Sequence, residues 1–109
     1  MEDKIRQGNL YEFYGDLLNE HQKKIYEDYV LNDFSLGEIA ENEGITRQGV
    51  HDLVKRATSS MEDYESKLGM MKRFYSIREN IQLMRNLISD GNYDEAKLLD
   101  VLKRIDGEL

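Results

Sequence analysis

Apolar residues recur at spacings of three and four along most of the chain, the period of helices that bury one face. Ile5, Leu10, Phe13, Tyr14, Leu17 and Leu18 predict a first amphipathic helix. It ends near Asn19, which forms a capping box with Gln22 and opens a second helix carrying Ile25, Tyr26, Tyr29 and Val30 on its buried stripe. Asn32-Asp33 breaks that helix before Phe34. A further capping box, Ser35 with Glu38, starts a short helix that buries Leu36, Ile39 and Ala40. Gly44 then stands where a turn needs a left-handed backbone, Ile45 is expected to plug that turn, and Thr46 caps the next helix. On this helix Val50, Leu53, Val54 and Ala57 share one face.

From Met61 the pattern changes. Met61, Tyr64, Leu68, Met71 and Tyr75 alternate spacings of three and four, and Phe74, Ile77, Ile81, Met84 and Ile88 repeat this on a shifted stripe. One long helix with a register skip, or two helices, fits both. Asp90-Gly91-Asn92 reads as a turn, and Leu98, Leu102, Ile105 and Leu109 mark a final helix. The expected fold is all-α, with a four-helix domain over residues 1–60 and a helical arm over residues 61–109. The arm's stripes exceed what it can cover alone, so it packs back on the domain or pairs with a second copy; a homodimer is the expectation.

Residues 35 to 57 carry the most specific signal, a helix-turn-helix. The small Ala40 lets a second helix cross closely, and Gly44 follows it by four residues. Arg47, Gln48, His51, Asp52 and Lys55 are left on or beside the open face of the second helix. In such a motif that helix enters the major groove of duplex DNA and its first exposed residues meet base edges. Arg47 suits guanine and Gln48 suits adenine, while Thr46 and the amides of the helix start can face a phosphate. Lys55 lies two turns on, nearer a phosphate strand, and His51 lies between these groups. The candidate DNA-binding residues are thus Thr46, Arg47, Gln48, His51 and Lys55. Two residues run against the pattern: Glu43 puts a carboxylate in the turn, and Gly49 costs the second helix about 1 kcal/mol relative to alanine unless it permits a close approach.

Charge qualifies this picture. The 109 residues carry a formal net charge of -7, which opposes non-specific DNA affinity. The distribution is uneven, with 4 basic against 11 acidic residues up to Ile45, 8 against 5 over residues 46–85, and 3 against 6 thereafter. The basic excess begins with the second helix of the motif, so weak, salt-sensitive binding is expected from a monomer. The absence of cysteine excludes disulfides and thiolate metal sites and fits a reducing cytoplasm. Met1 to Leu10 lacks an apolar core, and no run approaches the roughly 20 apolar residues of a membrane span.

Other chemistry finds little support. His21 and His51 stand in different helices with no carboxylates at ligand spacing, so no metal is expected. Gly37, Gly44 and Gly49 follow no strand and precede no Gly-Lys-Ser/Thr, so they make no phosphate-binding loop. Tyr11, Tyr14, Tyr26 and Tyr29 fall at helical spacing and read as core residues with hydroxyls at its rim rather than as base-stacking platforms. No cofactor and no enzyme activity are expected.

The runs Phe34-Ser-Leu-Gly-Glu-Ile-Ala-Glu41, Ile45-Thr-Arg-Gln-Gly-Val-His-Asp-Leu-Val-Lys-Arg56 and Met61-Glu-Asp-Tyr-Glu-Ser-Lys-Leu68 resemble the YlxM family of small bacterial helix-turn-helix proteins. Leu10-Tyr-Glu-Phe-Tyr14 and Gln22-Lys-Lys-Ile-Tyr-Glu-Asp-Tyr-Val30 match as well, so the likeness covers roughly residues 8 to 70. The motif half is similar to region four of bacterial sigma factors, which implies promoter-type DNA reading by Thr46, Arg47, Gln48 and Lys55. The resemblance also implies, by gene association, a regulatory or accessory role in the signal recognition particle pathway. This chain departs from the family pattern at Glu43, Gly49, His51 and Leu53, and keeps it at Arg47, Gln48, Val50, Asp52, Lys55 and Arg56. The sequence therefore supports a DNA-binding regulator first. The rival is a non-enzymatic adaptor for signal recognition particle components that keeps the fold without using DNA.

Overall fold

Side chains set the helix starts. Asp3 accepts from the Arg6 amide, and Asn19 and Ser35 exchange reciprocal hydrogen bonds with Gln22 and Glu38 in two capping boxes. In a computed structural model that describes residues 3–91 and 94–109, these caps open α1 (Lys4–Tyr14), α2 (Glu20–Val30) and α3 (Leu36–Glu43). They are followed by α4 (Arg47–Leu68), α5 (Met70–Ser89) and α6 (Glu95–Gly107), and the described residues contain no strand. The chain is all-α, as expected.

The chain divides into two units, Met1–Leu68 and Gly69–Leu109. In the first, α1, α2 and α3 all pack on α4. Leu10, Tyr14, Ile25, Tyr26, Ile39, Val50, Val54, Ala57 and Met61 are fully or almost fully buried there. The tyrosines belong to the core. Tyr26 bonds Thr58 at 2.7 Å, Tyr14 donates to Glu65 at 2.5 Å, and Tyr11 donates to Glu27 while its ring stacks on Tyr26. Burial pushes the Tyr26 phenol up to about 12, against a partly offsetting hydrogen bond with Thr58.

The expected first helix is shorter than its pattern suggested. It stops at Tyr14, and Gly15–Leu17 form one 3-10 turn. Ile5 and Leu17 consequently lie outside the buried stripe, 81% and 56% exposed, while Leu10, Tyr14 and Leu18 are buried. The boundary expected between residues 60 and 61 falls inside α4, which runs on to Leu68. Long-range contacts explain this. Arg6 grips Glu62 with two hydrogen bonds of 2.7 and 3.0 Å, and Tyr14 reaches Glu65, so α1 clamps the C-terminal half of α4 into the first unit.

Of the two readings for residues 61–89, two helices is the one observed. Gly69, at φ 61°, ends α4 and starts α5 one residue later. In the second unit α5 and α6 pack on each other, with Ser76 donating to Glu108 at 3.3 Å. Leu83 and Leu87 lie with Lys97 and Val101 along the same groove. Val101, absent from the expected stripe, is the buried residue of α6, whereas Leu102 and Leu109 are exposed. Gly91 adopts φ 71° just after α5; Asn92, the last residue of the expected turn, lies outside the described residues.

Candidate nucleic-acid interface

The turn between α3 and α4 is built as the residue types dictate. Gly44 ends α3 at φ 68° and ψ 30°, a left-handed conformation that glycine adopts without a Cβ penalty, and its amide bonds the Ala40 carbonyl. The Ile45 amide bonds the same carbonyl at 3.1 Å. Ile45 itself is exposed and does not plug the turn. Glu43, set against the pattern, instead lies half-buried with Oε1 3.9 Å from Nε2 of His21 on α2, so its carboxylate faces a histidine. Ile39 and Ala40 of α3 meet the face of α4 that carries Val50, Val54 and Ala57, all buried. This packing holds the opposite side of α4 to solvent.

On that side the five candidate residues occupy the first half of α4 and its cap. Thr46 Oγ1 accepts from the Gly49 amide at 2.9 Å, so the hydroxyl caps the helix. Gly49 is in a close approach to this cap, since a Cβ there would lie 3.1 Å from Thr46 Oγ1. Arg47 and Lys55 are exposed and make no hydrogen bond or ion pair among the described residues. Gln48 is engaged: its Nε2 donates to Asp52 Oδ1 at 2.9 Å. His51 is half-buried, with Nδ1 3.5 Å from Asp52 Oδ1 and unpaired by hydrogen-bond geometry.

Asp52 is the residue whose part the sequence reading missed, although the i,i+4 spacing to Gln48 announces it. The Gln48 hydrogen bond, with help from His51 and Arg56, holds its carboxyl below the usual carboxylate range. The surface therefore presents Arg47, Lys55 and Arg56 around one ionised carboxylate, with an excess of positive charge. Gln48 must exchange Asp52 for a base edge if it is to donate to one, or use its amide oxygen as acceptor. Arg47 needs no such exchange. Among the described residues no cluster of His, Cys, Asp or Glu is arranged to hold a metal.

A short helix, a glycine-closed turn and a second helix held with its first turns open to solvent define a helix-turn-helix protein. The family described as "Putative helix-turn-helix protein, YlxM / p13 like", UPF0122, matches residues 1–104, and the chain belongs to this family. The match runs well beyond residue 70, near which the likeness read from the sequence stopped. A UPF0122 protein of Thermoanaerobacter sp. (strain X514) is 43% identical over 103 residues, covering 92% of this chain and 87% of its own. The UPF0122 protein YlxM of Bacillus subtilis (strain 168) is 37% identical over 108 residues, covering 97% and 98%. One from Bacillus pumilus (strain SAFR-032) is 39% identical over the same length with the same coverage. None of the described helices is long and apolar enough to cross a membrane.

Proposed function

We propose that this chain is a cytoplasmic DNA-binding regulator that lays the first half of α4 in the major groove of duplex DNA. The observation that carries the reading is the pair Arg47 and Lys55, exposed two turns apart on the open side of α4 with no partner among the described residues. Arg47, in the first turn, reads guanine through O6 and N7, and Gln48 contributes once released from Asp52. Lys55 neutralises a phosphate, and Thr46 with the first amides of α4 faces another. His51 lies between base edge and backbone. Selection of bound fragments from a random duplex library tests this: an enriched motif, bound with affinity that falls steeply with salt, supports it. Recovery of unenriched sequence contradicts it.

The acidic residues up to Ile45 favour a second reading, a non-enzymatic adaptor that keeps the fold for protein partners, with signal recognition particle components the candidates. Retention of such factors in a pull-down, without salt-sensitive DNA binding, selects this reading over the first.

A further inference from the structure

The open face of α4 has a centre and two edges. Val50, Val54, Ala57 and Met61 are fully buried and mark the side turned to the core. At about 100° of rotation per residue, Gln48 and Asp52 lie within roughly 30° of the direction opposite that side, whereas Lys55 and Arg56 stand about 50° to either side of it. Ser59 falls on the central line two turns after Asp52. A helix laid in the major groove with its buried side away from the DNA turns its centre to the base edges and its flanks to the two phosphate strands. Lys55 and Arg56 suit phosphates, and Asp52 faces bases.

A carboxylate in that place needs a donor from the base it meets. Asp52 is the single acidic residue between Arg47 and Ser60, and the next two, Glu62 and Asp63, are paired with Arg6 and Lys67. Its close contacts fall on one oxygen. Gln48 Nε2 donates to Oδ1 at 2.9 Å, and His51 Nδ1 stands 3.5 Å from the same atom. Oδ2 accepts no hydrogen bond among the described residues, and the side chain is 53% exposed. Lys55 and Arg56, three and four residues on, make no ion pair with it there, Arg56 acting on it only at longer range. An ionised carboxylate accepts and never donates, so guanine O6 and N7 and thymine O4, all acceptors, repel Oδ2. The amine N4 of cytosine has no acceptor beside it on the major-groove edge, whereas N6 of adenine sits next to N7. We infer that Asp52 is a further base-reading residue of α4, its Oδ2 accepting a hydrogen bond from N4 of a cytosine. The assignment rests on the reading of α4 as the helix in the groove. Arg47 and Asp52 are about 7.5 Å apart along the helix axis, the rise of roughly two base pairs, so this cytosine stands within about two pairs of the guanine met by Arg47.

Selection from a random duplex library by the full chain and by Arg47→Ala, Asp52→Asn and Asp52→Asn/Gln48→Ala, followed by titration of the selected duplexes, tests this. Helical circular dichroism confirms that each variant is folded. The wild type enriches cytosine at a pair whose preference survives Arg47→Ala. Asp52→Asn keeps the shape of the side chain and adds a donor, and asparagine pairs with adenine through N6 and N7. That one position therefore changes from cytosine to adenine, the ratio of the two affinities shifting by roughly ten-fold or more. Affinity for every duplex also rises, because a negative charge has gone. The change of base persists when Gln48 is alanine, since Oδ2 meets the base directly. A motif left unchanged by Asp52→Asn, with all duplexes bound more tightly alike, overturns the inference and leaves the reading of DNA by α4 standing. A change of preference that disappears in the Gln48→Ala background overturns it too, because Asp52 then only orients Gln48. A wild type that enriches no motif overturns the reading of α4 and the inference together.

Discussion

The two units use the same helical material in opposite ways. In Met1–Leu68, α4 is enclosed by three helices, and polar side chains far apart in sequence lock it: Arg6 on Glu62, Tyr14 on Glu65, Tyr26 on Thr58. In Gly69–Leu109 α5 and α6 pack on each other, with Val101 the buried residue of α6 and Ile81, Ile88, Leu99 and Leu102 exposed. A helix with several neighbours can leave a polar strip free for an outside partner while its other faces stay buried. A helix with one neighbour leaves apolar surface exposed instead. An open polar strip and exposed apolar side chains thereby fall in different parts of one short chain.

The contrast is tested most strongly by one truncation made twice. Val54→Ala in the first unit, at a fully buried site with neighbours on several sides, is expected to cost about 2–3 kcal/mol in denaturant unfolding. Val101→Ala, beneath α5, is expected to cost about 1 kcal/mol, because a two-helix site collapses more readily onto the lost volume. Equal costs would break the comparison. Gly44→Val comes next, at about 2 kcal/mol, since a β-branched residue is strained at φ 68° although open space surrounds it. An unchanged melting temperature would contradict the left-handed turn.

Alkaline titration sharpens the account of the first unit. The Tyr26 phenol is raised from 10.0 to about 12 in the folded chain, so the neutral form is favoured there. Its contribution is fully present below pH 10 and is lost as pH rises toward 12. Tyr26→Phe should flatten the fall in stability across that window, and a fall of unchanged steepness would assign it elsewhere. The smallest effect belongs to Arg6→Ala. Its ion pair with Glu62 is half-exposed, and the expected loss is at most about 1 kcal/mol, seen in amide exchange as earlier opening of residues 58–68.

How much of this was legible in the sequence follows from the range of each interaction. Both capping boxes, the left-handed Gly44 and the buried faces of α3 and α4 depend on residues within four positions of each other, and the pattern displays them. The unit to which residues 61–68 belong was not legible, because Glu62 and Glu65 are held in the first unit by Arg6 and Tyr14, more than fifty positions away. Periodicity likewise favoured Leu102 over Val101, since it records which residues share a face and not which face meets a neighbour. For the candidate site, the exposure of Arg47 and Lys55 was readable. The engagement of Gln48 by Asp52 was available from their spacing but became concrete only with the side chains in place.

The central proposal is that the first half of α4 reads DNA, and equilibrium binding of the selected duplex over a series of salt concentrations tests it most directly. Arg47→Ala/Gln48→Ala should lose about 1–3 kcal/mol for each base contact removed and relax the preference at one or two base pairs. Lys55→Ala should weaken all duplexes alike and lower the salt dependence by about one ion. Equal affinity of the wild type and the folded Arg47→Ala/Gln48→Ala variant for that duplex would contradict the account.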